Sequence, residues 1–314
     1  MHMIDCYEPA FVRSFLYHNP DSPLSTRMTW QHEIRQSLML TETACCEAAL
    51  GNPDAFVLHV SQCAAPPESP LLSLRTQTLN QAALNTVTLA GLTPELRLYA
   101  LGIMLSWSAK LPGESDETLA RITSQPGVLA HFVEEGKLQE QFARLPAVPQ
   151  LQRQLLTLTG SLDFDWQELP DSTRKATLPL QVSVLMLQDA NSEALLLQQL
   201  QEQWRKTYAQ YFAKDTWIFS NYLIYRIYHD TFPQPDSANA PLRYFELVTD
   251  VFLLRTLFSL WTLDDSTLSH DEIFALFALF ERWRYSHDAT VVRGQLLTML
   301  PADYLLSAFS LLIC

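Results

Sequence analysis

From about residue 29 onward, apolar positions recur at steps of three and four, the period of a helix with one buried face. The stretch 93–111 is the clearest case. Thr93 is a good N-cap, Pro94 follows at the first helical position, and Pro112-Gly113 ends the run. Leu96, Tyr99, Ala100, Ile103, Met104 and Trp107 then share a face. A second helix follows Asn191-Ser192, with Leu197, Leu200, Trp204, Tyr208 and Tyr211 as its stripe. A third starts at Ser269, where Glu272 completes a capping box before Ile273, Phe274, Phe277 and Phe280. Weaker periodicity predicts helices over 30–50, 71–92, 150–159, 216–229 and 242–262, and from 302 onward. Residues 56–60 alternate as a strand would, but one strand makes no sheet. The pattern therefore predicts an all-α fold, a multi-helix orthogonal or bundle-like array. At most one or two short strands are expected near the N-terminus. AAPPESP (64–70) is the strongest linker and 231–241 a second proline-bearing loop. The expected organisation is an N-terminal segment, 1–68, packed as one unit with a helical domain, 69–314.

The stretch 217–228 differs from these amphipathic segments. Ile218, Tyr222 and Tyr225 share one face, and Ile224 and Tyr228 share another, so it is apolar nearly all round. Such a helix belongs at the centre of a fold, where its tyrosine hydroxyls need partners. A groove for a peptide or ligand is the alternative reading.

Composition narrows the function. The 314 residues are 48% hydrophobic, enough for a sizeable core. A formal net charge of −13, without a Lys/Arg cluster, excludes nucleic acid as the expected partner. It suits a basic or lysine-bearing partner. The apolar run 251–261 is interrupted by Arg255 and is too short to span a bilayer. Asp5 and Glu8 break the order expected of a signal peptide. Cys6, Cys45, Cys46, Cys63 and Cys314 are odd in number and irregular in spacing, which points to reduced thiols and a cytoplasmic protein. Cys45 and Cys46 are expected to pack rather than ligate.

Standard catalytic signatures are missing. The eight glycines never fall within three residues of one another, so no glycine-rich cofactor loop is present. There is no GxSxG elbow. His32-Glu33 is followed by Gln36 where a zinc-binding HExxH needs histidine. His229-Asp230, His270-Asp271 and His287-Asp288 are sequence neighbours that point to different helix faces, so each is expected to be structural. No metal site is expected.

Three C-terminal segments resemble one family in order. WIFSNYLIYRIYHDTFP (217–233), PLRYFELVTDVFLLRTL (241–257) and the Arg284 to His287 stretch are similar to the C-terminal half of the flagellin lysine N-methylases. The matching positions are Asn221, Tyr222, Arg226, Phe232, Pro233, Asp250, Arg255, Arg284 and His287. EPAFVRSF (8–15) and HEIRQSLMLTETACCEAALGNPDA (32–55) resemble the family's N-terminal segments, while 112–150 is matched weakly. Tyr17 and Glu42 stand where the family carries cysteines, and its cysteine-rich stretch is missing. The likeness implies S-adenosylmethionine and an iron–sulfur cluster for the family. For this chain alone no cofactor is expected, because tyrosine and glutamate do not replace cluster thiolates. The resemblance implies flagellin, or another lysine-bearing protein, as partner. The chain is then either a protein-lysine N-methyltransferase acting on flagellin or a non-catalytic flagellin-binding adaptor or regulator. Asn221, Tyr222, Asp250, Arg255, Arg284 and His287 are expected to converge as a substrate-lysine groove or an interhelix polar network.

Overall fold

A computed structural model describes residues 3–64, 68–146, 148–170, 173–187, 190–234, 239–263, 267–299 and 303–313. In chain order the first elements are β1 (Met3–Pro9), α1 (Ala10–His18), β2 (Ser25–Thr29), β3 (Glu33–Leu38), α2 (Thr43–Leu50) and β4 (Leu58–Ala64). Helices follow: α3 (Leu74–Val87), α4 (Pro94–Ala109), α5 (Asp116–Glu134), α6 (Lys137–Ala143), α7 (Pro149–Thr159), α8 (Thr173–Val184) and α9 (Ala190–Thr207). The chain ends with α10 (Trp217–His229), α11 (Ala240–Trp261), α12 (His270–Arg284), α13 (His287–Met299) and α14 (Tyr304–Leu312).

The fold is mainly helical, 67% of it, as the apolar period predicts. The strands are a correction: four form a sheet of order β2-β3-β1-β4, where one or two were expected. β1 pairs parallel with β3 and antiparallel with β4, and β2 pairs antiparallel with β3. The helix expected over 30–50 is accordingly split into β3 and α2. Ile34 and Leu38 stand four apart and imitate a helical stripe. Pairing on both sides instead alternates Ile34, Gln36 and Leu38 with Glu33, Arg35 and Ser37. Residues 65–67 and 235–238 of the two expected linkers lie outside the described residues, as does Cys314.

Two compact units emerge, each discontinuous in sequence. The first comprises Met1–Leu40, Ala44–Gly136 and Trp217–Ala240. The second comprises Thr41–Thr43, Lys137–Thr216 and Pro241–Cys314.

In the first unit, α4 begins as its cap predicts, with the Leu96 amide donating to Thr93 Oγ1 at 3.4 Å. Burial departs from the expected stripe: Tyr99, Ala100 and Met104 are buried while Leu96, Ile103 and Trp107 are half-buried, and Leu98, Leu101, Glu95 and Arg97 are buried as well. Arg97 is tolerated there because it donates to the carbonyls of Leu92 (3.1 Å) and Leu89 (2.7 Å), and also to that of Val87, at the end of α3.

In the second unit, α12 carries the expected capping box, with the Ser269 amide 2.7 Å from Glu272 Oε2 and the Glu272 amide 3.3 Å from Ser269 Oγ. α9 runs into a π-helical turn, Tyr208–Phe212. The wider turn shifts the register, so Phe212 rather than Tyr211 continues the buried row of Leu197, Leu200 and Trp204. Phe258 of α11 joins that row to α12, with ring centroids 5.2 Å from Phe212 and 5.4 Å from Phe277. Among the described residues, no helix is long and apolar enough to cross a membrane.

Candidate functional site

The residues singled out from the C-terminal segments divide between the units. Asn221 and Tyr222 sit in the first, on α10, a helix buried on most sides. Asn221 Nδ2 donates to the carbonyls of Ala49 (3.1 Å) and Asn52 (2.8 Å), and so closes the C-terminal end of α2. Arg226 donates to the Tyr222 hydroxyl at 3.1 Å and pairs with Asp230 at 3.0 Å. Asn80 of α3 donates to the Ile227 and Phe232 carbonyls where α10 gives way to its loop, at 3.0 and 2.8 Å. Arg35 of β3 reaches Asn80 Oδ1 at 2.8 Å and pairs with Glu33, also at 2.8 Å. Its guanidinium lies between the rings of Trp30 and Tyr228, 5.6 and 5.3 Å from their centroids.

The remaining four lie in the second unit. Asp250, almost wholly buried on α11, lies 3.5 Å from the Arg293 guanidinium of α13, which also reaches the Arg284 carbonyl at 3.5 Å. Arg284 pairs at 2.8 Å with Glu281, a carboxylate with no exposed surface. Asp250 and Arg284 thus meet around Arg293. Arg255 donates to the Leu311 carbonyl of α14 at 2.9 Å, beside a space of about 20 Å³ that is too small for a substrate. His287 is exposed at the start of α13. The adjacent Asp288 accepts from Trp283 Nε1 at 2.8 Å and from the Asp163 amide at 3.2 Å, as expected of a structural His-Asp neighbour.

A groove of about 510 Å³ runs along α7, within the range of small-ligand sites. α7 turns Leu151, Leu155 and Leu156 inward, and Gln152 ties it to α14 by donating to the Ser310 and Ile313 carbonyls, both at 2.8 Å. Its outer face then supplies Gln150, Arg153, Gln154, Thr157 and Leu158 to the groove, with Ser161 beyond its end. Met186 and Glu193 form the opposite wall. The Thr157 hydroxyl donates to Glu193 Oε1 at 2.9 Å and holds that carboxylate in place. Gly160 lets the wall come this close, since a Cβ there would lie 2.8 Å from the Met186 backbone nitrogen. A second groove, of about 280 Å³, shares Gln150 and Gln154 and is walled by Leu306, Ser307 and Ser310. Sequence reasoning missed this site. Gln, Arg and Thr on an outer helix face look like any solvated surface, and Met186 and Glu193 join them only through folding.

The described thiols do not fit an iron–sulfur cluster. Cys6 and Cys63 sit in the sheet, and Cys45 and Cys46 are buried in α2, with the Cys46 thiol donating to the Leu40 carbonyl at 3.2 Å. Among the described residues, no group of three or more His, Cys, Asp or Glu side chains is placed to hold a metal ion.

The family model for the FliB lysine N-methylase C-terminal domain matches residues 80–310, well over half of the chain. No curated protein and no solved structure matches it. The matched span includes α10, the charged residues of α11 to α13 and the whole α7 groove. The chain belongs to the FliB lysine N-methylase family.

Proposed function

We propose that the protein is a flagellin lysine N-methylase-like protein whose α7 groove receives a substrate lysine. The family match over residues 80–310 carries this reading. Flagellin is the partner the family implies. The groove adds a chemical reason for lysine: it holds one carboxylate, Glu193, fixed by Thr157, with Leu158 on the α7 side and Met186 on the opposite wall. A lysine ammonium has to lose a proton before its nitrogen can attack a methyl carbon. Glu193 accepts a hydrogen bond from that nitrogen, orients it and takes up the proton. Leu158 and Met186 lie against the lysine methylenes and keep water from them.

S-adenosylmethionine supplies, when bound, an electrophilic methyl group on a sulfonium. The residues present do not assign it a site. Gly91, Gly113 and Gly136 occupy positive-φ turns with open space around them, and Gly160 abuts Met186, so none of these cradles a nucleotide.

A second reading, a non-catalytic flagellin-binding adaptor, is favoured by the thiols. Tyr17, 83% exposed, and Glu42 stand where the family carries cysteines, and the described thiols assemble no replacement set. Within either reading, we propose that Asp250, Arg255 and Arg284 are a polar network that fixes helix packing.

Incubation with purified flagellin and S-adenosylmethionine, followed by mass spectrometry of flagellin lysines, separates the readings. The methylase reading expects methylated lysines and a loss of about a hundredfold in rate for Glu193→Gln, at unchanged thermal stability. Flagellin binding without methylation supports the adaptor. Neither binding nor methylation sinks both.

A further inference from the structure

The two grooves on α7 meet along one ridge. Gln150 and Gln154 are four apart, one above the other on the helix, and line both. The grooves differ in charge. The larger one carries Arg153 and Glu193, whereas no residue lining the smaller one ionises. The wall of the smaller groove is held in place. Gln152 accepts from Gln201 Nε2 at 3.0 Å while donating to the Ser310 and Ile313 carbonyls, so α14 is fixed against α7. Ser310 is buried and its hydroxyl donates to the Ser307 carbonyl at 2.7 Å, which leaves it little to offer a ligand. What the smaller groove presents to solvent is the exposed Gln150 and Gln154 of the ridge, with Val148, 45% exposed, and Leu306, 65% exposed. Exposed apolar side chains that line one concave surface with a polar rim mark a contact site.

We propose that the smaller groove receives an apolar side chain of the same flagellin segment whose lysine enters the larger one, so that the protein selects lysines with a leucine-like neighbour. The inference rests on the lysine reading of the larger groove. Continuity across Gln150 and Gln154 sets the occupant, because a chain that crosses the ridge passes from one groove into the other. Each ridge amide can donate to and accept from the main chain of that segment. Thr157, which holds Glu193, and Leu151 of the smaller groove are six positions apart, about 9 Å along α7. An extended chain covers that distance in about three residues, which sets the spacing between the lysine and its apolar neighbour. An acidic side chain at the neighbour's position would give up hydration to a groove whose lining offers no cation.

The test is fluorescence anisotropy of the full-length chain with short labelled peptides, each carrying one central lysine among serines and threonines. One series moves a single leucine through every position on both sides of the lysine, and a control replaces the lysine by glutamine. The tightest binding is expected with leucine about three residues from the lysine. Serine in place of that leucine, or Leu306→Ser in the protein, should weaken binding about tenfold. The two changes together should cost little more than either alone, because both remove the same contact. Should Leu306→Ser fail to fold by circular dichroism, Val148→Ser replaces it, and the peptide series with the wild type decides without either. Binding that needs the lysine but is indifferent to the leucine and to Leu306→Ser overturns the apolar subsite and leaves the lysine reading standing. Binding that needs the leucine but survives loss of the lysine and Glu193→Gln overturns the lysine reading and the pairing built on it. Failure of every peptide to bind overturns both.

Discussion

Buried polarity is handled differently around α10 and across α11 to α13. Around α10, beside the ion pairs Arg35–Glu33 and Arg226–Asp230, neutral amides close the helix ends by bonding the main chain: Asn80 donates to two carbonyls at the end of α10, and Asn221 to two at the end of α2. Across α11 to α13, buried groups carry full charges and bond other charges, Asp250 with the half-buried Arg293 and Glu281 with Arg284. An amide bonded to carbonyls holds a place where a helix stops, and its partner is backbone that substitution cannot remove. An ion pair consists of two side chains, and both can be exchanged. Losing one member of a buried pair strands the other charge, whereas losing both leaves a space that apolar atoms can fill.

The largest effect is expected at Glu281. Glu281→Ala leaves Arg284 buried without its carboxylate and should cost about 3–5 kcal/mol in denaturant unfolding. Glu281→Leu combined with Arg284→Met should recover most of that loss. A double variant as unstable as the single one would break the comparison.

Asn80→Ala should come next, at about 2–3 kcal/mol, because two carbonyls and the Arg35 guanidinium lose a partner together. Rescue should fail here: Arg35→Met added to Asn80→Ala leaves the carbonyls of Ile227 and Phe232 as they were. Recovery in the double variant, measured by the same unfolding curves, would show that the arginine and not the backbone sets the cost.

The smallest effect at neutral pH is expected for Tyr228→Phe. The Tyr228 hydroxyl donates to the Tyr7 carbonyl at 3.1 Å, a bond worth about 1 kcal/mol. Burial pushes this phenol well above its ordinary 10.0, with Arg35 opposing and Glu33 adding to the rise. Above pH 10 the unfolded chain therefore releases the proton while the folded one keeps it. Stability falls as pH rises there, by about 1.4 kcal/mol per pH unit for one such group. Thermal melts of the wild type and Tyr228→Phe between pH 9 and pH 11 should converge as pH rises, roughly within the range where an ordinary phenol titrates. Curves that stay parallel would remove Tyr228 from the alkaline loss.

The C-terminal residues were legible as polar insertions in apolar helices, and in three of them the reason is now visible. Asn221 bonds carbonyls, Asp250 meets a guanidinium, and Arg255 meets the Leu311 carbonyl. Asp250 and Arg255, five apart on one helix, do look to different partners, as their angular offset requires. Their partners were not legible. Glu281 and Arg293 resemble ordinary helix charges until packing buries one and brings the other to α11. Glu193 was missed for the same reason, since only the approach of α9 to α7 makes it part of a groove.

The amino-acid sequence by itself determined what depends on near neighbours. The start of α4 at Thr93, the capping box of α12 and the mainly helical class all follow from residues within a turn or two of each other. Tertiary structure alone decided that residues 33–38 form a strand, because a β ladder is satisfied by partners from Met3–Pro9 and Ser25–Thr29 rather than by its own chain. The α7 groove was likewise beyond local pattern, since the walls of a cavity come from helices that sequence distance does not relate.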